Sequence, residues 1–264
     1  MADRREERSV GDDGREARRS DGSEASRSDG YEASRFDGVL RLRRPGTEWL
    51  STGWNGGREI ADAAYNVSVP EGWHVESIGE YVTDRLDRAG VSEEGPTLLT
   101  GVDLEHARGA RLGSVTAVAT AGLSNVAALP RAPAGGELPD PGTRRPPGTV
   151  NLLVGTSRRL APGALANLVA VVAEAKAATL LAETGVPGTT TDAIVVGHDP
   201  DGPPAEFSGS GTAVGAASRA CVREAVTDAL ASRYADSDVP ASATDAEHGV
   251  STDVEAERFR PDRG

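Results

Sequence analysis

The best-marked segment of this chain runs from Pro162 to Thr184. Leu165, Leu168, Val169, Val172, Lys176 and Leu180 recur there at helical spacing on one side. Pro162 suits a first helical turn and Gly185 the left-handed position that follows the last turn. The pattern predicts a helix over 162–184, with two more over 75–88 and 212–233. Runs of apolar and β-branched residues predict strands at 39–43, 47–51, 112–121, 149–155 and 192–197. Helical and extended segments alternate only loosely. The expected fold is α/β, a single mixed-sheet domain flanked by helices rather than a doubly wound sheet.

The pattern fails at both ends. Residues 1–38 carry a short tandem repeat, Arg19-Ser-Asp-Gly-Ser-Glu-Ala-Ser26, then Arg27-Ser-Asp-Gly-Tyr-Glu-Ala-Ser34, then Arg35-Phe-Asp-Gly38. The copies are too short and polar to bury a core, so a disordered leader is expected. Residues 236–264 read as a disordered acidic tail, and Pro130 to Pro147 as a long surface loop. The folded body is placed at 39–235 and is expected to fold without its ends.

Charge narrows the partners. The formal net charge of −13 argues against nucleic acid and anionic membrane surfaces. No uninterrupted run of 18 apolar residues occurs, so no membrane span is expected. The charged N-terminus has no apolar signal region, which predicts a cytoplasmic protein. Lys176 is the only lysine, and Gln is absent. An acidic, lysine-poor surface suits a salt-rich cytoplasm. The single Cys221 excludes an internal disulfide and a Cys-based zinc site, and the four His show no metal spacing. No metal site is expected, and the oligomeric state stays open.

Candidate chemistry gathers in Gly185-Val-Pro-Gly188-Thr189-Thr190-Thr191-Asp192, a tight loop entering the apolar strand Ala193 to Val196. Three hydroxyls and a carboxylate at the mouth of a buried strand form a site, or a Thr/Asp turn. Lys176 lies on the apolar stripe of its helix. It either snorkels outward or meets a carboxylate, and Asp192 is the expected partner. Glu174 lies two positions away, on another side of the helix, and needs its own partner. Asn55, Asn66, Asn125, Asn151 and Asn167 suit an amide-covered ligand or, singly, turns and caps. Three of them adjoin glycines or a glycine-containing turn: Asn55-Gly56-Gly57, Gly122-Leu-Ser124-Asn125 and Gly148-Thr-Val-Asn151. Gly209-Ser-Gly211-Thr212-Ala-Val-Gly215 is not a dinucleotide fingerprint, because no strand with an acidic end follows. Its helix start at Thr212 can hold an oxyanion or simply be capped. Ser124 lacks the second glycine of a nucleophile elbow.

Six stretches in order resemble the adenosylcobinamide amidohydrolase family: Leu50-Ser-Thr52 with Asn55-Gly-Gly57; Thr120-Ala-Gly-Leu-Ser-Asn125; Pro147-Gly-Thr-Val-Asn151; Glu174-Ala-Lys176; Gly188-Thr-Thr-Thr-Asp-Ala193; and Gly211-Thr-Ala-Val-Gly215. The resemblance implies hydrolysis of the amide that joins aminopropanol to the corrin of adenosylcobinamide. The product is adenosylcobyric acid, for cobalamin salvage. It implies a corrinoid substrate and no cofactor, since cobalt enters only within the substrate. Lys176, Asp192, Glu174 and Thr191 are then the catalytic candidates. Asn55, Gly56, Gly57, Ser124, Asn125, Asn151, Thr189, Thr190 and Thr212 are the substrate-binding ones. Water activated by Asp192 or Glu174, or a Thr hydroxyl, is the attacking group. A non-catalytic corrinoid-binding protein is the alternative.

Overall fold

The computed structural model describes residues 30–70, 73, 75–140 and 149–261. The leader up to position 29, and residues 141–148 of the expected loop, lie outside the described residues. The elements in chain order are β1 (Glu32–Phe36), β2 (Val39–Ser51), β3 (Gly57–Ser68), α1 (Ile78–Arg88), β4 (Thr97–Thr100), β5 (Arg108–Leu112), β6 (Val115–Ala121), β7 (Ala127–Ala128), β8 (Val150–Thr156), β9 (Arg159–Leu160), α2 (Pro162–Thr184), β10 (Ala193–His198), β11 (Pro204–Ala205), α3 (Ala213–Arg233) and β12 (Val250–Ser251).

Eight strands form one mixed sheet in the order β4-β3-β2-β10-β8-β6-β5, with β1 paired to β2. Strands β8 and β10 are parallel, and α2 is the crossover between them. On its other side β10 pairs antiparallel with β2, Val195 opposite Ser51. Alternation sorts the side chains between two faces. Leu152, Val154, Ile194 and Val196 meet Leu165, Leu168 and Val172 of α2 and Val222 of α3. By length and composition α2 is apolar enough to cross a membrane. Here its buried side chains lie in the core shared by the sheet and α3.

The opposite face is covered by the sheet itself. β2 slips register between Arg43 and Thr47, and such a bulge bends a strand. β3 and β4 then lie against β8, and Leu42, Trp49, Ala64 and Leu98 pack on Val118, Leu153 and Val195. Helix α1 closes this side, with Val82 and Leu86 against Val39, Tyr65 and Val67.

The expected mixed sheet flanked by helices is present. Several boundaries differ. The two segments at 39–43 and 47–51 are one bulged strand. The segment 112–121 is a hairpin, turned at Gly113 with φ 56°. β3 and β4 went unpredicted, because the Ala-rich 61–64 and the charged start of β3 blur its alternation.

The folded body also begins earlier than Val39. Asp37 and Gly38 both have positive φ, 46° and 73°, the turn that best suits a two-residue hairpin. It joins β1 to β2, Phe36 opposite Val39. Just before β1, Tyr31 is fully buried against Trp49, ring centroids 5.6 Å apart. Gly155 and Gly197 are direct neighbours on β8 and β10. A Cβ on Gly155 would stand 2.6 Å from the Tyr31 ring, so these glycines clear space for the aromatic pair. Arg111 donates to the Tyr31 carbonyl at 2.6 Å. Burial pushes the Tyr31 phenol well above its ordinary pKa.

The C-terminal segment is likewise partly docked. After α3 the chain returns, Ala246 enters the main core, and β12 pairs parallel with β7.

Candidate active site

Asp192 heads β10, and Lys176 reaches it from α2. The two form an ion pair with side chains only 11% exposed. The loop after Gly185, whose φ is 78°, carries the chain from the end of α2 back beneath its own face. The carboxylate accepts three further bonds. Oδ1 receives the Val150 N–H at 2.9 Å and the Thr189 hydroxyl at 2.5 Å. Oδ2 receives the Thr189 N–H at 3.1 Å besides the lysine. Four donors fill the four acceptor positions of a carboxylate. Among the described residues, Asp192 is the only acceptor bonded to the Lys176 ammonium. A Cβ on Gly188 would lie 2.5 Å from Asp192 Oδ2 and 2.9 Å from Lys176 Nζ, so the pair fits only over a glycine.

The neighbouring hydroxyls are ordered from the other side. Asn125, fully buried, donates through Nδ2 to Thr190 Oγ1 at 2.7 Å and to Thr191 Oγ1 at 3.2 Å. The Thr191 side chain is exposed. The Thr149 hydroxyl donates to the Thr191 carbonyl at 2.7 Å and lies 3.0 Å from Asn151 Oδ1. Asn151 donates to Asn66 Oδ1 at 2.9 Å and to the Leu99 carbonyl at 2.8 Å, and Asn66 donates to Thr120 at 3.0 Å. A continuous polar row thus runs from the Thr191 turn inward between the two layers of sheet.

The structure brings together Lys176, Asp192, Thr189, Thr190, Thr191 and Asn125. The loop of Asn55, Gly56 and Gly57 reaches the same rim. It is the β2–β3 turn, and Thr52 at its start exchanges bonds with Ile194: its N–H donates to the Ile194 carbonyl at 2.9 Å and its Oγ1 accepts the Ile194 N–H at 2.9 Å. Asn55 is exposed with φ 49°. Ser124 stands beside Asn125, its carbonyl taken by the His248 N–H at 2.7 Å. Asn151 is 2% exposed with its side chain engaged internally, so it braces the rim from within.

Two expected site residues lie elsewhere. Glu174 is exposed on α2 and pairs with Arg219 of α3 at 2.8 Å, the separate partner its helix position demanded. Thr212 caps α3, accepting from the Gly215 N–H at 3.1 Å. Helices α2 and α3 run the same way, as the contacts of Ala164 with Ser208, Glu174 with Arg219 and Glu183 with Thr227 show. Thr212 therefore sits level with Leu168 of α2, about 12 Å along the axis from Lys176 at 1.5 Å per residue. Asn66, grouped in the sequence only with the other asparagines, and Thr52, Thr149 and Gly188, present only within the matching stretches, also line this region but were not among the candidate site residues. A lone Asn inside the apolar run Ala63 to Val67 was the available signal for Asn66.

A single ammonium, paired hydroxyls and loop backbone thus gather at the rim of an α/β sheet. The sequence profile of the adenosylcobinamide amidohydrolase family matches residues 23–238. The chain belongs to that family, and it is a hydrolase. It is 60% identical over 225 residues to an adenosylcobinamide amidohydrolase of Halobacterium salinarum, covering 84% of this chain and 96% of that protein. An adenosylcobinamide amidohydrolase of Methanosarcina mazei is 30% identical over 154 residues, 58% of this chain and 70% of that one. Among solved structures, a Burkholderia sp. β-aminopeptidase aligns over 76% of this chain and 80% of its own, with 14% identity and a TM-score of 0.38.

Proposed function

We propose that this enzyme hydrolyses the amide joining aminopropanol to the corrin of adenosylcobinamide, releasing adenosylcobyric acid for cobalamin salvage. The observation that carries the reading is the 60% identity across nearly the whole of the Halobacterium salinarum adenosylcobinamide amidohydrolase. The substrate is the corrinoid, and its cobalt takes no part in breaking the amide.

One water is consumed. Its oxygen joins the carbonyl carbon, the C–N bond breaks, and the amine departs with an added proton. Lys176 has protons beyond the one engaged by Asp192, and we assign it the departing nitrogen or the charge on the carbonyl oxygen. Asp192 already holds four donors, so its part is to fix the ammonium rather than to activate water. Glu174, turned away toward Arg219, has no part. The attacking oxygen belongs to Thr191 or to a water held beside it. The Asn55–Gly57 turn and Thr190 contact the amide-rich corrin rim.

The test is incubation of the purified full chain with adenosylcobinamide and chromatography for adenosylcobyric acid and aminopropanol. Both should appear in equal amounts. Tight corrinoid binding without either product would replace the hydrolytic reading with that of a binding protein.

A further inference from the structure

Residues 124–128 are the middle of three extended segments. On one edge the Ala127 N–H donates to the Gly188 carbonyl at 2.9 Å and the Thr190 N–H to the Asn125 carbonyl at 3.1 Å. On the other edge the N–H groups of His248, Val250 and Thr252 donate to the carbonyls of Ser124, Val126 and Ala128, at 2.7, 2.7 and 2.9 Å. The outer segment thus grips, through one intermediate, the turn that carries Thr190 and Thr191. It lies beyond residue 238, where the family match ends. Ala246 anchors it in the main core, and the Asp253 carbonyl accepts from the Gly135 N–H at 3.1 Å.

We propose that residues 246–252 are a positioning strap for the reacting hydroxyls. Asn125 orders Thr190 and Thr191 only while its own backbone is fixed. With the strap in place that backbone is hydrogen-bonded on both edges. Without it, the carbonyls of Ser124, Val126 and Ala128 face water, and the segment is held from the Gly188–Thr190 side alone. Small losses of position at reacting groups lower the rate steeply without weakening substrate contacts. The strap touches none of the residues assigned to the substrate except the Ser124 carbonyl. Its effect should therefore fall on kcat rather than on KM.

The kinetic part of the test rests on the hydrolytic reading, and the exchange part does not. Val250→Pro, made in the full chain, removes the N–H that bonds Val126. Gly249→Ala drives a Cβ into the Ala243 carbonyl and lifts the same segment. Val250→Ala keeps the N–H and serves as the conservative control. Both disruptive variants should lower kcat about tenfold with KM within about twofold, and Val250→Ala should match the parent. Amide exchange at Ala127 and Thr190 should accelerate in the disruptive variants, with β8 and β10 unchanged. Parental kcat together with parental exchange overturns the proposal. So does loss of the whole cooperative transition in both variants, which would make the segment core rather than strap. If the parent itself does not turn over adenosylcobinamide, the hydrolytic reading fails, and exchange at Thr190 still decides the strap.

Discussion

Lys176 depends on Asp192 more than Asp192 depends on Lys176. Lys176→Met keeps the length and apolar contacts of the stem, and it leaves Asp192 three donors. Turnover should fall about a hundredfold or more, the scale of lost acid–base catalysis, while the fold persists. Asp192→Asn has a second effect. An amide NH2 cannot accept, so it meets the Val150 N–H or the ammonium with a donor. Breaking a largely buried pair in this way should cost about 3 kcal/mol in denaturant unfolding, in addition to activity. An Asp192→Asn protein as stable as the parent would show that the carboxylate is not the hub described here. The pairing was legible because a lone lysine on an apolar stripe needs a carboxylate, and the loop after Gly185 left one candidate. The role of Asn151 was not. Its neighbours in sequence are apolar on both sides, and only the folding-over of β3 and β4 shows that its amide faces Asn66 rather than solvent.

Among the elements, the β1–β2 hairpin shows how a repeat can mask structure. Phe36-Asp37-Gly38-Val39 is a strong hairpin signal, yet it falls in the third copy of a polar repeat, whose other Asp-Gly pairs are not flanked by apolar residues on both sides. The second and third copies differ from the first in Tyr31 and Phe36, which stand in place of serines. Tyr31→Ala should cost about 3 kcal/mol, since it empties the space that Gly155 leaves. A chain beginning at Gly30 should keep its thermal transition, and one beginning at Val39 should lose most of its stability. At the far end of β10, Arg44 donates to Asp199 at 2.5 Å and the Asp201 N–H at 2.9 Å. Burial works to raise the Asp199 carboxyl, but these donors, with the charges of Arg44 and His198, outweigh it and hold the pKa below its ordinary value. A carboxyl lowered in the folded state adds stability above its unfolded pKa, near 4, and that stability is lost as pH falls through the folded value. Asp199→Asn should accordingly flatten the acid limb of the stability curve. At neutral pH it should cost about 1–2 kcal/mol.

For the whole molecule, the net charge of −13 predicts self-repulsion that salt screens. The unfolding temperature should rise from dilute buffer to molar KCl, and a flat or falling curve would show that the acidic surface is not limiting. The fold class was readable from the chain because α2 and the strands on either side of it carry clean periodicity. The topology was not, since nothing local says that β10 enters between β2 and β8. That insertion has a consequence for how the molecule is made. While a ribosome has delivered only β1 to β8, the inner edges of β2 and β8 lack their shared neighbour and stand open for pairing with other chains. The β2–β3 turn and the inner polar row are already synthesised by then, but nothing joins them to Lys176. Thirteen-residue β2 must wait for a strand about 140 positions downstream, a long closure that slows folding and exposes the nascent chain. Chains arrested before Ala193 should aggregate more than those arrested after His198, in which the inner edges are paired and only the face that α3 covers stays open. Synthesis of the last central strand therefore both seals the sheet and, in the same step, assembles the reactive rim.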